Sequence, residues 1–289
     1  MYVIEFQRID HFSFFPYLCA MAEIMGIINL TEDSFYAASR VRAEDAVERA
    51  GTMLQQGADI LDLGACSTRP GSRQPSEKEE WSRLEPALKA IKKAFPETRL
   101  SVDTYWAGIV ERVYDSIGPF MVNDISAGQL DSEMLPVVGR LGLPYVAMHM
   151  RGTPETMQGL TSYADIVEDV KTYFTEFEKK ADENGIKDWI LDPGFGFAKT
   201  IEQNYQLLAH LDRLKETGRQ ILVGVSRKSM IYKLLGITPE AALAPTQVVH
   251  YIALEKGADI LRVHDVAEAV QTVRLYSTIY TSSPGAANL

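Results

Sequence analysis

The chain has 289 residues, a length that suits one α/β barrel of about 250 residues better than two average domains. With 29 basic residues against 39 acidic ones the formal net charge is −10, and no Lys/Arg run is present, which argues against nucleic acid and anionic membrane surfaces as partners. The only cysteines, Cys19 and Cys66, fit no metal-ligand spacing and no disulfide framework, so they read as small apolar residues of a protein in a reducing, cytoplasmic compartment.

In chain order, the first segment is ambiguous. Phe12 to Leu30 is uncharged apart from Glu23 and largely apolar, and Ala20-Met21-Ala22 has the spacing of a signal-peptidase site. Against export, the residues before it carry Glu5 and Asp10 with Arg8 alone, so the required basic start is missing. As a membrane span the stretch is short of about 20 apolar residues and contains Pro16 and Glu23. The reading is therefore a lead-in of uncertain structure over 1–22, a barrel over 23–280 and a loose tail over 281–289.

From Glu23 onward, short β-rich runs alternate with long amphipathic patterns, the signature of βαβ units and a parallel sheet. Eight strands are predicted: Glu23 to Leu30, Ala58 to Ala65, Arg99 to Tyr105, Phe120 to Ser126, Pro144 to Met150, Trp189 to Pro193, Gln220 to Ser226 and Ala258 to Asp265. Between them, sets such as Ala46, Ala50, Met53, Leu54 and Trp81, Leu84, Leu88, Ile91 repeat at helical spacing. Gln56-Gly57-Ala58-Asp59-Ile60-Leu61 is echoed by Lys256-Gly257-Ala258-Asp259-Ile260-Leu261, which predicts a left-handed cap at Gly57 and Gly257. The fold expected is a single-domain (β/α)₈ barrel. An open doubly wound sheet is the alternative, but Ile28-Asn29-Leu30-Thr31 is no phosphate-binding glycine turn.

Polar residues in buried strands are the informative exceptions, because an unpaired one costs about 2–7 kcal/mol. Asn29, Asp62, Asp103, Asn123, Asp124, His149, Asp192, Arg262 and His264 all fall near predicted strand ends, the face on which barrel enzymes build their sites. Asp62 is expected to hold a loop amide, and His149 to be a satisfied core histidine. Asp103, Asn123 and Asp192 together read as acceptors for the N–H edge of a heterocycle. Arg69, Lys228, Arg262 and His264 on the same rim of an acidic protein suggest an anion site, with Ser226 and Ser229 at the start of a helix. Phe197, in the loop Pro193-Gly194-Phe195-Gly196-Phe197, offers an aromatic wall. The expected arrangement has acceptors innermost and cations nearer the mouth.

With these residues in place the chain resembles the dihydropteroate synthase family from about Met25 to Ala269. The matching pieces are Met25-Gly26-Ile27-Ile28-Asn29-Leu30-Thr31 with Asp33-Ser34-Phe35, then Ser67-Thr68-Arg69-Pro70-Gly71, Val102-Asp103-Thr104, Val122-Asn123-Asp124-Ile125, Met148-His149-Met150, Leu191-Asp192-Pro193-Gly194-Phe195-Gly196-Phe197, Ser226-Arg227-Lys228-Ser229 and Arg262-Val263-His264-Asp265. The resemblance implies a transferase of folate biosynthesis and sulfonamide target. It joins 6-hydroxymethyl-7,8-dihydropterin diphosphate to p-aminobenzoate, giving 7,8-dihydropteroate and pyrophosphate. It further implies that Asp103, Asn123, Ile125, Met148, Asp192 and Lys228 hold the pterin. Asn29, Thr68, Arg69, Arg262 and His264 would hold the diphosphate, with Mg²⁺ as cofactor at Asn29, and Thr68, Arg69, Pro70, Phe197 and Ser229 would hold p-aminobenzoate. Asn29, Lys228, Arg262 and His264 would serve catalysis, and a homodimer is implied, for which the apolar helix around Thr246 to Leu254 offers a surface.

Two departures from the family pattern stand out. The first loop reads Thr31-Glu32-Asp33-Ser34-Phe35-Tyr36-Ala37-Ala38-Ser39, without the usual glycines and second aspartate, and Cys66 replaces a glutamate before the Ser-Thr-Arg-Pro-Gly segment. The altered loop leaves a catalytically silent pterin-binding paralogue as one competing reading. A folate-type methyltransferase barrel is another, although it has no need for the cluster of cations.

Overall fold

The computed structural model describes residues 21–30, 45–66 and 75–281. The strands are β1 (Glu23–Asn29), β2 (Ile60–Gly64), β3 (Arg99–Asp103), β4 (Met121–Asp124), β5 (Tyr145–Met148), β6 (Trp189–Asp192), β7 (Leu222–Val223) and β8 (Ile260–Val263). They alternate with α1 (Ala46–Gln56), α2 (Glu77–Ala94), α3 (Ala107–Ile117), α4 (Met134–Leu141), α5 (Ile166–Glu183), α6 (Ile201–Ala209), α7 (Ser229–Leu235), α8 (Leu243–Glu255) and α9 (Val266–Thr281). All strand pairs are parallel, in the order β6-β5-β4-β3-β2-β1-β8-β7, and a parallel bridge between Leu191 and Ile221 joins the two ends. That closure decides for the barrel and against the open sheet.

The expected strands are all present but shorter at their C-terminal ends. Thr104, Tyr105, Ile125, Ser126, His149, Met150 and Pro193 leave the ladder to start the loops on the rim. Glu23–Asn29 is a strand within the sheet, which removes the membrane-span reading of Phe12 to Leu30. Its first residues, 12–20, lie outside the described ones, as do Cys19 and the tail beyond 281. Among the described residues no helix is long and apolar enough to cross a membrane.

Helices start and stop where local chemistry requires. Ser76 with Glu79, and Thr200 with Gln203, form reciprocal capping boxes that satisfy backbone N–H groups at the starts of α2 and α6. Gly57 ends α1 at φ +102°, and Gly257 follows α8 at φ +91°, as the repeated segment predicts. Ala46, Ala50 and Met53 of α1 and Leu84, Leu88 and Ile91 of α2 are buried against the sheet, with Leu54 and Trp81 partly covered at the edge of these faces.

Within the barrel a separate apolar cluster comprises Met25, Ile60, Met121, Val146, Ile190, Leu222 and Ile260, contributed by every strand except β3. Side chains on a strand alternate between faces, so the residues two positions later point into the same interior, one layer nearer the C-terminal rim. The plug closes the bottom of the barrel and fixes the floor on which the site rests.

Candidate active site

Two residues beyond the plug, the same inward face presents Asp62, Asn123, Met148, Asp192 and Arg262. Pairwise strand register aligns Asn29 with Gly64, Gly64 with Asp103 and Asp103 with Asn123, which brings Asn29 and Asp103 to the same mouth. The gathering of distant polar residues at one mouth is therefore a consequence of alternation and register. Gly64 permits the close approach: a Cβ there would sit 3.3 Å from the Cβ of Asp103.

The contacts in this layer differ from expectation in one respect. Arg262 is not nearer the mouth than the acceptors; it lies among them. Its Nε donates to Asp62 Oδ2 at 2.7 Å and its Nη2 to Asp103 Oδ2 at 2.6 Å. Asp62 also accepts from Ser101 Oγ at 2.6 Å and from Asn123 Nδ2 at 3.2 Å. Asp62 thus holds Arg262 and Asn123 rather than a loop amide, because its side chain points into the barrel and away from the loops. Burial pushes the Asp103 carboxyl up to about 7, against the Arg262 guanidinium and with help from the charge of Asp62. The carboxylate partners hold Arg262 in its charged form despite burial.

Across the pocket, Asp192 Oδ1 accepts the N–H of Gly194 at 2.8 Å, and Oδ2 has no donor among the described residues. Burial raises its pKa while Lys228 opposes. Burial likewise brings the Lys228 ammonium down to about 8, with Asp192 as the main opposing charge. Lys228 Nζ donates to Phe195 O and stands 4.8 Å from the centre of the Phe197 ring. Ser229 is the first residue of α7, next to Lys228 and partly buried. Ile125, Met148 and Phe197 belong to one apolar cluster, as expected, together with Tyr105, Met150 and Met157.

His264 lies just beyond β8, with Nδ1 3.1 Å from Ser226 Oγ. Burial and the neighbouring Arg262 bring its pKa down to about 4, so at neutral pH it offers hydrogen bonds and no positive charge. That corrects its inclusion among the cations. Asp124 faces away from the pocket, next in sequence to inward-pointing Asn123, and binds Tyr145 Oη at 2.6 Å and the N–H groups of Ser126 and Gly128. His149 is buried in the outer layer, as a core histidine should be. Thr68, Arg69, Pro70 and the altered first loop lie outside the described residues.

Sequence reasoning missed Glu80, whose buried carboxylate accepts from Cys66 Sγ at 2.6 Å. Cys66 is therefore more than an apolar filler, and burial with the Glu80 charge pushes its thiol far above its ordinary range. The signal was present: Glu80 sits four residues before Leu84, on the apolar stripe of α2.

Three comparisons bear on this geometry. A family model described as "Pterin binding enzyme" matches residues 25–264. The dihydropteroate synthase of Escherichia coli is 40% identical over 255 residues, covering 87% of this chain and 89% of that protein. The chain belongs to the pterin binding enzyme family, and within it to the dihydropteroate synthases. The counterpart from Synechocystis is 39% identical over 89% of this chain and 90% of its own. Among solved structures, the Yersinia pestis synthase in a sulfonamide drug complex superposes with a TM-score of 0.87 at 36% identity, covering 91% of this chain and 95% of that one. The Xanthomonas albilineans synthase with 4-aminobenzoic acid gives 0.82 at 36% identity, over 91% and 94%. The fold and family that the motifs implied both stand.

Proposed function

We propose that this enzyme of folate synthesis condenses 6-hydroxymethyl-7,8-dihydropterin diphosphate with p-aminobenzoate, and that the polar layer above the apolar plug divides the work. One observation carries the reading: Asp62, Asp103, Asn123 and Asp192 converge with Arg262 and Lys228 beside a wall of Ile125, Met148 and Phe197. Asp192 and Asn123 accept and donate along the N–H-rich edge of the pterin, with Asp103 as a second carboxylate. Met148 and Ile125 cover the faces of the ring.

As the carbon–oxygen bond to the diphosphate lengthens, negative charge grows on the leaving group and positive charge on the pterin methylene. Arg262 and Lys228 are fixed charges already in place before that happens, so they favour departure without reorganising. His264, neutral, donates a hydrogen bond to the leaving group. The aniline nitrogen of p-aminobenzoate then attacks the methylene from a pocket formed by Phe197, Ser229 and the segment Thr68-Arg69-Pro70. Holding both partners in line supplies the remaining advantage.

Among the described residues no cluster of three or more His, Cys, Asp or Glu side chains suits a resident metal. Asn29, at the end of β1, offers a single neutral side-chain oxygen, a donor set that fits a Mg²⁺ carried largely by substrate phosphates and water. Such an ion, when bound, supplies charge neutralisation on the leaving diphosphate.

We also place the enzyme in the cytoplasm, consistent with its acidic composition and few cysteines, and as a homodimer. Within the stretch Thr246 to Leu254, the side chains of Thr246, Val249, His250, Ala253 and Leu254 are buried against the enzyme's own core, so only its outer face is open to a contact. Exposed Val248 with Leu275, Ile279 and Tyr280 of α9 are the better contact residues. Sedimentation at micromolar concentration distinguishes dimer from monomer.

The activity is tested by mixing purified protein with both substrates and following pyrophosphate release. Release that requires p-aminobenzoate is the expected result; pterin binding without release would establish the silent alternative.

A further inference from the structure

Lys199 takes no part in the chemistry above, yet its amino group is buried, with the residue only 6% exposed, and burial brings its pKa down to about 7. Nζ lies 2.9 Å from His149 Nδ1, 3.0 Å from Gly194 O and 3.1 Å from Phe197 O. Burying an ammonium costs several kcal/mol even when it is well partnered, so space-filling does not account for it. What the three acceptors gain is a fixed loop. Gly194, Gly196 and Ala198 all have positive φ, at +70°, +83° and +49°, and a Cβ on Gly194 would stand 2.0 Å from His149 O. A backbone so arranged persists only where its surroundings over-determine it. Here side chains hold it throughout: Lys228 on Phe195 O, Tyr163 Oη on Ala198 O at 3.0 Å, Asn204 Oδ1 on Gly196 N at 2.7 Å, and Lys199 on Gly194 O and Phe197 O.

Between the two carbonyls that Lys199 holds, the loop sends Phe195 into the main core and ends on Phe197, the ring that lines the apolar pocket. His149 accepts at Nδ1 only in its neutral form, which burial favours, with Lys199 and Arg151 opposing its protonation. His149 itself is fixed by the edge of the Tyr173 ring, 4.8 Å away.

We propose that Lys199, with His149 as its acceptor, is a positioning residue for the p-aminobenzoate pocket. It touches no substrate and acts by fixing the carbonyls that set the Phe197 ring. The inference rests on the assignment of Phe197 to that pocket, and a displacement of about 1 Å in such a wall is enough to affect productive binding strongly.

The test uses the full chain carrying K199M, H149N, H149L and F197A, with pterin affinity, kcat and the KM for p-aminobenzoate measured for each. K199M and H149L are expected to raise that KM about tenfold, with kcat and pterin affinity within about threefold of the parent. H149N, which keeps an acceptor where Nδ1 stood, is expected to stay within about twofold of the parent. A parental KM in K199M, or an equal loss of pterin affinity, would overturn the proposal. Should K199M fail to fold, indistinguishable H149N and H149L variants would overturn it instead. A raised KM in F197A beside a parental K199M would reject Lys199 alone; a parental F197A would reject the pocket assignment, and the proposal with it.

Discussion

The lower and upper layers of the barrel interior share strands, side-chain direction and enclosure, yet one is wholly apolar and the other is charged. Met25, Ile60, Met121, Val146, Ile190, Leu222 and Ile260 fill the lower layer; two residues later along six of these strands come Asp62, Asn123, Asp192 and Arg262 with Met148 and Gly224. Each fully buried plug side chain contributes about 1.5–3 kcal/mol through loss of contact with water. The upper layer gives up that gain and must neutralise its own charges, which Arg262 does for Asp62 and Asp103. The contrast teaches that stability and function are separated here by a single two-residue step along the strand, and variants on either side of that step should behave differently.

Arg262→Ala should do most harm. It leaves Asp62 and Asp103 without their buried partner, a change that costs about 3–5 kcal/mol of stability. Turnover at saturating substrate should also fall at least about tenfold, equivalent to about 1.4 kcal/mol of barrier; an unchanged turnover number would reject the role of Arg262. Asp192→Asn comes next. Losing a charged acceptor should weaken pterin binding by about 1.5–3 kcal/mol, tenfold or more, in calorimetric titration.

Smaller effects come from pH. Asp103, pushed up to about 7, gains a proton as pH falls through that value and ceases to be a pure acceptor. Lys228, brought down to about 8, loses its charge as pH rises. The profile of kcat/KM for the pterin substrate should therefore peak between these values, and Lys228→Arg should abolish the alkaline limb, since a guanidinium stays charged. In the lower layer, Ile60→Ala should cost about 2–5 kcal/mol in denaturant unfolding while leaving turnover of the folded enzyme within about twofold.

The polar rim was legible in the sequence, whereas the apolar plug beneath it was not. Position near the predicted strand ends put Asp103, Asn123 and Asp192 at one rim, and the repeat around Gly57 and Gly257 gave the helix ends. Less visible was which of two adjacent polar residues points inward. Asn123 and Asp124 look equivalent in sequence, but period-2 geometry sends one to the pocket and the other to Tyr145. The depth of Arg262 was also hidden, because an arginine near a strand end reads as a rim cation until its partners across the barrel, Asp62 and Asp103, are known. Lys199 escaped notice because it belongs to no motif; its burial depends on how the loop folds back over His149.

The central claim is that the upper layer is the pterin site. A crystal structure of the enzyme with 7,8-dihydropterin diphosphate tests it most directly. The account predicts the pterin N–H edge within hydrogen-bonding distance of Asp192 and Asn123, with the diphosphate turned toward Asn29 and His264. A ring bound instead in the cleft of about 390 Å³ lined by Gln129, Arg151, Asp169 and Tyr173, with Asp192 untouched, would contradict it.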